Sequence, residues 1–251
     1  MTLHLLGTGA GASDPDRTTT MLAVEHGGAT VLIDCGGDAG QALLRSGLDP
    51  SRLDAVVLTH EHPDHISGFP LLIERMWLLG RRDPIAVYGP AATLAVARQL
   101  FALFNTAEWP GLPPLVWHPV ELRAGASVLA LGALVMTATP VDHPVPTIGL
   151  RIAVGDAVVA YSCDTAPSKA VRDLAHGASL LVHEATGHLP GVHSSPEDAA
   201  RAARDAGVDD LVLVHAPVGA CEEDLAAARA LVARTRWGTD GERIELAGGP
   251  T

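Results

Sequence analysis

The stretch T-H-E-H-P-D-H, residues 59–65, directly follows the apolar run A-V-V-L. Its first two histidines, His60 and His62, alternate on an extended segment, so both imidazoles can point the same way. Asp64 and His65 follow after a proline that fits a turn. Histidine nitrogens with carboxylate support bind transition metals, and four such side chains within six residues can serve two neighbouring ions. A histidine-rich surface loop is the alternative, but the buried-type strand before the motif argues against it.

Three further candidate ligands each follow an apolar run. His143 comes after L-V-M-T-A-T and a short turn, Asp164 after V-V-A-Y-S-C, and His215 after L-V-L-V. The carboxyl ends of strands are where sheet proteins gather their site residues. A single histidine after a strand is usually an ordinary polar residue. Four strands that each deliver His or Asp predict one shared metal centre.

Length and composition predict a globular α/β protein. The chain has 251 residues, 47% of them hydrophobic and 18% charged, which fits one domain spanning residues 1–251. No apolar run reaches the roughly 18–20 residues of a membrane span, and the N-terminus lacks signal-peptide features. The three cysteines form no CxxC pair. We therefore expect a reduced, cytoplasmic protein without membrane partners.

The charge balance argues against a long nucleic-acid partner. Acids outnumber bases 29 to 17, giving a formal charge of −12, whereas proteins that grip a phosphate backbone carry basic patches. A small anionic substrate stays compatible with this charge, because bound divalent cations reverse it locally.

Hydrophobic patterning predicts alternating strands and helices and favours a mixed, layered α/β sandwich. The glycines of G-T-G-A-G, residues 7–11, are read as a tight turn, because no helix of a dinucleotide-binding unit follows them. Strands are predicted at residues 3–6, 21–24, 30–34, 55–59, 85–88, 128–131, 134–139, 149–154, 158–162, 180–182 and 211–214. Helices are predicted at residues 39–46, 91–104, 167–176, 196–206 and 222–234.

Taken together, these motifs resemble the metallo-β-lactamase-fold hydrolases and, within them, the ribonuclease Z-like branch. The resemblance is carried by H-E-H-P-D-H, by Y-S-C-D-T around Asp164, and by L-V-L-V-H ending at His215. It extends to L-L-G-T-G-A-G with R-T-T-T, to V-L-I-D-C-G-G, to D-H-P-V-P-T-I-G-L-R-I, and to H-E-A-T followed by H-S-S. It covers nearly the whole chain and implies a four-layer αβ/βα sandwich with a dinuclear site at one edge.

The resemblance also implies the ligand sets and the cofactor. By position, one metal ion would take His60, His62 and His143, and the other Asp64, His65 and His215, with Asp164 as the bridge. The cofactor would be two divalent ions, zinc first and manganese or iron as alternatives. A water bridging two such ions loses a proton near neutral pH and becomes a nucleophile, which Asp64 can orient.

The segment L-L-V-H-E-A-T-G-H-L-P-G-V-H-S-S-P-E contains candidates for proton transfer. In ribonuclease Z-like enzymes the residues matching His193 and Glu184 assist protonation of the leaving oxygen. A carboxylate bonded to an imidazole fixes its tautomer and raises its pKa. The same sequence also predicts a helix start with Ser195 as N-cap. Two other histidines, His183 and His188, have no assigned role, although His183 suits a brace at a strand end.

Three features keep alternative interpretations. Asp34 either supports the metal ligands through hydrogen bonds or starts a helix. Cys163, where the family often has glycine, is interpreted as a small packed thiol. Residues 101–117 contain four of the nine aromatic residues and fit a lid over the site, part of the core, or the interface of a homodimer.

One departure from ribonuclease Z bears on the substrate. That enzyme grips transfer RNA with an arm placed between the third histidine motif and the bridging aspartate. Here His143 and Asp164 are only 21 positions apart, so we expect no arm and no efficient processing of transfer RNA 3′ ends. The expected function is hydrolysis of a small phosphodiester, with His193 and Glu184 assisting the leaving group.

Other activities on the same scaffold stay open. A lactonase, a thioesterase or an arylsulfatase would use the same metal ligands. An iron-dependent oxidoreductase is disfavoured, because a di-iron form normally needs a flavin domain and a mononuclear form usually lacks some of these ligands. A non-catalytic binding protein is disfavoured because every expected ligand position is filled.

Overall fold

The computed structural model of the protein describes residues 1–12 and 14–247, and within them two seven-stranded sheets face each other. The first sheet contains β1 (Thr2–Gly7), β2 (Met21–His26), β3 (Ala29–Ile33), β4 (Ala55–Val57), β5 (Ile85–Gly89), β6 (Leu115–Pro119) and β14 (Glu242–Glu245). The second contains β7 (Ala126–Leu131), β8 (Leu134–Pro140), β9 (Ile148–Val154), β10 (Ala157–Tyr161), β11 (Leu180–Glu184), β12 (Asp210–Val214) and β13 (Arg234–Trp237).

The helices lie on the outer faces of the two sheets. The α-helices are α1 (Ala39–Arg45), α2 (Pro63–Ile66), α3 (Phe69–Leu78), α4 (Ala91–Ala102), α5 (Lys169–Ala175), α6 (Pro196–Ala206) and α7 (Ala226–Leu231). Short 3₁₀ turns occupy Pro50–Arg52, Thr106–Glu108 and Glu222–Leu225.

Both sheets have the same plan. In the first, β14, β1, β2 and β3 are antiparallel neighbours and β3, β4, β5 and β6 are parallel. In the second, β7 to β10 are antiparallel and β10 to β13 are parallel. Since parallel neighbours need a crossover, helices α1 to α7 lie in the connections between those strands. The carboxyl ends of the parallel strands carry most of the candidate site residues, and His143 follows the antiparallel strand β8.

Three apolar cores separate the layers. Side chains alternate along each strand, so Leu3 and Leu5 of β1 face the second sheet while Leu6 faces the helices. The central core lies between the sheets, a second core lies under α1, α3 and α4, and a third lies under α5, α6 and α7. The expected four-layer αβ/βα sandwich is confirmed.

Several predicted elements were wrong in extent or missed. The helix predicted at 222–234 is a 3₁₀ turn followed by α7, because Val232 is already extended (φ −135°). Strands β6, β13 and β14 were missed, since these edge strands are short and contain polar or exposed residues. Helix α3 was also missed, although Pro70 lies in its first turn, where proline is tolerated. In the part of the chain that the structure describes, no helix is long and apolar enough to cross a membrane.

Candidate metal centre

The motif at 59–65 leaves the end of β4 and enters α2. His62 is the extended N-cap of α2 (φ −65°, ψ 147°), and Pro63 occupies its first position. The proline preorganises the first turn, so Asp64 and His65 emerge on the same side as the histidines before them. His60 and His65 are completely buried. The sequence therefore folds four polar side chains into one buried corner.

One group of nitrogens converges on His62. His60 Nε2 and His143 Nε2 each lie 3.1 Å from His62 Nδ1. Two ligands about 2.0–2.1 Å from one tetrahedral zinc ion lie roughly 3.3 Å apart. These N···N separations therefore match a shared coordination sphere, and Asp164 joins the same group with all ligand atoms within 4.8 Å of one another.

A second group lies beside the first. Asp64 Oδ2 is 3.7 Å from His65 Nε2 and 3.3 Å from His215 Nε2. Their ligand atoms also lie within 4.8 Å of one another. Three ligand atoms at these separations can hold a second divalent ion.

Asp164 lies between the two groups. Its Oδ2 is 3.9 Å from His60 Nε2, 3.5 Å from His65 Nε2 and 3.3 Å from His215 Nε2. The structure thus brings together all seven side chains expected at the centre, in the two sets expected. That these side chains bind metal stays a prediction.

Two buried polar atoms test whether a cation fits here. His65 Nε2 and Asp164 Oδ1 are both inaccessible to solvent and have no hydrogen-bond partner among the described residues. Buried polar atoms are almost always bonded, so each exception needs an explanation. Metal ions held by these nitrogen and oxygen donors supply one, and the donor set fits zinc, manganese or iron(II).

The protonation behaviour agrees with a cation site. Burial lowers the pKa of His60 far below its ordinary value and keeps the imidazole neutral, as a ligand must be. Burial opposes charge on His65, but Asp164 and Asp34 outweigh it and raise its pKa well above its ordinary value. Burial also opposes charge on Asp164, yet His215 and His65 hold its pKa well below the usual range. The corner thus attracts positive charge.

Hydrogen-bond partners behind the imidazoles fix their orientation. Asp34 accepts from the Thr59 N–H and hydroxyl and pairs with His65 Nδ1 at 2.9 Å. His143 Nδ1 donates to the Val192 carbonyl at 2.9 Å. Such outer partners set the tautomer of a metal-binding histidine. Asp34 therefore supports His65 and does not start a helix, since Asp38 caps α1.

His215 is held by a group that the sequence did not reveal. The Thr186 hydroxyl lies 2.5 Å from His215 Nδ1 and donates to the His215 carbonyl at 2.9 Å. Thr186 and the Val192 carbonyl were both missed. A main-chain carbonyl leaves no mark in the sequence. Thr186 is the last residue of the H-E-A-T motif, but the motif alone assigns it no role.

The backbone is unusual at the strand ends that carry the site. Asp34, Cys163 and His215 all have positive φ, between 52° and 60°. Non-glycine residues there cost about 1 kcal/mol or more and persist only where their surroundings enforce them. Gly36 is required for a different reason, because a Cβ there would lie 1.5 Å from the Asp64 carbonyl oxygen. The fold accepts local strain to bring these strand ends together.

The expected proton-transfer pair also forms. His193 Nδ1 lies 3.0 Å from Glu184 Oε1, and its ring lies 5.4 Å from the ring of His215 and 5.5 Å from that of His143. Burial opposes charge on His193, but its hydrogen bond to the Glu184 carboxylate outweighs it and raises the pKa of the imidazole. Ser195 caps α6 through a capping box, so the helix-start interpretation holds as well.

The remaining histidines of this segment stand apart from the centre. His183 is buried, and its Nδ1 donates to the Glu184 carbonyl at 2.7 Å, which suits a brace at the end of β11. His188 is exposed and pairs with Asp198 at 2.8 Å. Cys163 is a buried thiol that contacts the Thr59 hydroxyl at 2.9 Å.

Three of the four aromatic rings in segment 101–117 pack against α3, while Phe104 is 56% exposed. Phe101 and Trp117 pack against Phe69, and Trp109 stacks on Trp77, both on α3. The core interpretation therefore fits Phe101, whereas a lid or a homodimer interface formed by the exposed part of the segment stays a prediction.

A cavity of about 820 Å³ adjoins the centre. Gly11 lines it and also borders the site, since a Cβ there would lie 2.9 Å from Asp64 Oδ2. Its other walls include Asp16, Gln41 and Arg45, and none of its described lining residues is aromatic. The walls of this space therefore combine charged and polar side chains with small apolar residues such as Ala10, Ala12 and Ala42.

Between His143 and Asp164 the chain forms only β9 and β10, joined by a two-residue turn. No protruding arm occurs in this described segment.

The chain is similar in sequence and in fold to several known proteins. Residues 29–216 match the model of the beta-lactamase superfamily domain. The chain is 34% identical over 273 residues to a ribonuclease Z from Mycobacterium sp. strain KMS, covering 96% of this chain and 95% of that one. Its fold is similar to the metallo-beta-lactamase fold protein YhfI from Bacillus subtilis (TM-score 0.80, 22% identity, 97% and 98% of the chains). A diphosphatase from the PhnP family is similar as well (TM-score 0.77, 24% identity, 98% of both chains).

Proposed function

Since the chain belongs to the β-lactamase superfamily, in its ribonuclease Z-like branch of metal-dependent hydrolases, we propose that it cleaves a phosphodiester bond in a small substrate. The observation that carries this proposal is the His193–Glu184 pair, 3.0 Å apart, against the rings of His215 and His143. An alkoxide leaving group is a strong base that needs a proton, and this pair can deliver one.

Seven side chains would hold two divalent ions. His60, His62 and His143 would bind the first, Asp64, His65 and His215 the second, and Asp164 both. When bound, such ions lower the pKa of water and neutralise charge on phosphoryl oxygens. Zinc suits the nitrogen-rich donor set, with manganese or iron as alternatives.

Glu184 orients the proton donor. Its Oε1 accepts from the backbone N–H of Ser194 at 2.9 Å and from that of Thr165 at 3.2 Å, while its Oε2 accepts from the Thr186 N–H at 3.0 Å. The carboxylate is completely buried and fixed by these bonds. It therefore holds His193 Nδ1 protonated, which leaves Nε2 to give its proton to the leaving oxygen.

The surroundings favour a polar substrate over an acyl or aryl one. The cavity beside Asp64 carries polar side chains such as Gln41 and Arg45 among small apolar ones, whereas the aromatic side chains Phe101, Trp109 and Trp117 line a separate cavity of about 480 Å³. A lactone, thioester or aryl sulfate would gain little from such walls. Thiolate and phenolate leaving groups also need a proton donor less than an alkoxide does.

A small substrate is proposed instead of transfer RNA for two reasons. The segment between His143 and Asp164 has room only for two strands and a turn, and the formal charge of −12 opposes binding of a phosphate backbone. The relatives named ribonuclease Z make processing of transfer RNA the alternative to test.

A substrate panel on metal-quantified protein tests the proposal. It should contain a cyclic nucleotide phosphodiester, an activated aryl phosphodiester, a lactone, a thioester, an aryl sulfate and a precursor transfer RNA. We expect the two phosphodiesters to be cleaved with the highest kcat/KM. Faster turnover of the lactone, thioester or sulfate, or salt-sensitive binding and 3′ cleavage of the precursor RNA at low enzyme concentration, would contradict it.

A further inference from the structure

The loop between β11 and α6 supplies the site with two groups at once. It carries His193, whose Nδ1 meets Glu184, and it carries Val192, whose carbonyl accepts from His143 Nδ1 at 2.9 Å. The position of one loop therefore sets both the proton donor and one proposed metal ligand.

The outer part of this loop, residues 187–193, has little apolar support. None of its residues is buried, and residues 188–191 are exposed. It is a tight hairpin closed by reciprocal bonds between Leu189 and His193, of 3.1 and 2.9 Å, and by the Val192 N–H on the Leu189 carbonyl. These bonds give the hairpin its shape but do not fix it to the rest of the protein.

Apart from the contacts of His193 with Glu184 and of Val192 with His143, polar contacts fix the hairpin at two places. At its base, the Gly187 N–H donates to the Ser194 carbonyl at 3.0 Å, and the Ser194 N–H to Glu184. At its outer side, His188 Nδ1 lies 2.8 Å from Asp198 Oδ2. Within the described residues, His188 is the only side chain of 187–193 that bonds to α6.

Asp198 is a firm anchor. It forms the capping box of α6 with Ser195, and its side chain is only 9% exposed, against 57% for His188. The helix behind it is packed through Ala199, Ala200 and Ala203, all completely buried. His188 therefore ties an exposed hairpin to a packed helix.

We propose that His188 is a positioning residue, which through its contact with Asp198 fixes hairpin 187–193 and so orients His193 toward the leaving group. The inference rests on the proposed role of His193. A single side-chain contact at the protein surface contributes little to global stability, whereas a displacement of about 1 Å in an active site can cost ~10²-fold in rate. The contact should therefore matter for turnover and little for folding.

The first arm of the test is kinetic. With a cyclic nucleotide phosphodiester and saturating metal, we expect His188→Ala to lower kcat about 10-fold with KM unchanged, since His193 acts on the leaving group and not in binding. His188→Gln keeps an N–H donor and should recover most of the rate. Arg201→Ala is the matched control, because it removes the contact of Arg201 with the other oxygen of Asp198 (3.0 Å) without touching the hairpin.

A double-mutant cycle separates positioning from general damage. In a His193→Ala background, His188→Ala should have no further effect on kcat, because the group it orients is gone. A second 10-fold loss in that background, or equal losses in His188→Ala and Arg201→Ala, would overturn the proposal.

The second arm needs no activity at all. Hydrogen exchange of metal-free protein should show peptides covering 187–195 exchanging faster in His188→Ala than in wild type, with 199–206 unchanged. Unchanged exchange across 187–195 would overturn the proposal. If no phosphodiester is cleaved but the exchange difference appears, the proposed function fails and the positioning of the hairpin stands.

Discussion

The segment 59–65 and the hairpin 187–193 reach the same cluster of imidazoles, but the protein holds them by different means. In the first, His60 and His65 are completely buried and backed by Thr59 and Asp34. In the second, no residue is buried. The hairpin is fixed by hydrogen bonds at its base, by the contacts of His193 with Glu184 and of Val192 with His143, and by the contact of the exposed His188 with Asp198.

This difference suits the two segments to different roles, metal binding and proton delivery. Ligands of a metal ion must be neutral or anionic, desolvated and fixed, which the buried strand end of β4 provides. A proton donor must exchange protons with solvent, and the product must be able to leave the site. A partly exposed hairpin allows both, and the side chain of His193 is 17% exposed. Metal binding and proton delivery should therefore fail separately when each segment is changed.

The largest effect is expected where both metal groups meet. Asp164→Ala removes the carboxylate oxygen that lies 3.3–3.9 Å from His60, His65 and His215. We expect loss of at least one ion per chain and a fall in kcat/KM of roughly 10³-fold or more, the order of several kcal/mol of lost charge stabilisation. Elemental analysis and kinetics measure both. Full metal content with normal turnover would show that Asp164 is not a shared ligand; Asp173→Ala, on the surface, is the control.

The second largest effect is expected on kcat, without a loss of bound metal. His193→Ala should lower kcat for a cyclic nucleotide phosphodiester by about 10²- to 10⁴-fold, the usual contribution of a general acid, with both ions retained. The loss should be much smaller for a p-nitrophenyl diester, whose leaving group needs no proton. An equal loss for both substrates, or loss of metal, would remove the distinction between the two segments. His176→Ala, an exposed histidine elsewhere, serves as the matched control.

A smaller change tests the support behind the buried segment. Asp34→Asn keeps the size of the side chain but weakens its bonds to His65 Nδ1 and to the Thr59 hydroxyl. Partners of this kind typically change metal affinity by 10- to 100-fold. Chelator competition should therefore show weaker binding, while kcat at saturating metal changes less. Unaltered affinity would mean that Asp34 has only a folding role.

The smallest effect concerns the strained residue before Asp164. Cys163 has φ +55° and is buried. Glycine adopts that conformation without penalty, so Cys163→Gly should be more stable than Cys163→Ala by about 1 kcal/mol, or roughly 2–4 °C in Tm. Thermal unfolding of the two variants gives the comparison. A more stable alanine variant would show that the conformation is not strained.

The sequence predicts the structure of segment 59–65 better than that of hairpin 187–193. The buried segment is a contiguous motif after an apolar strand, so its fold and its convergence with Asp164 and His215 could be read from residue order. The means of holding the hairpin could not. Val192 acts through its carbonyl, and His188 acts through a residue ten positions away. The edge strands β6, β13 and β14 were missed because their order comes from pairing with neighbours more than from their own apolar pattern.

The central claim, a dinuclear centre that hydrolyses a phosphodiester, is tested most directly by titrating metal-free protein with Zn²⁺ while following cleavage of a cyclic nucleotide phosphodiester. The account predicts that turnover reaches its maximum only when two ions are bound per chain. Maximal turnover at one ion per chain, or no turnover at two, would contradict it.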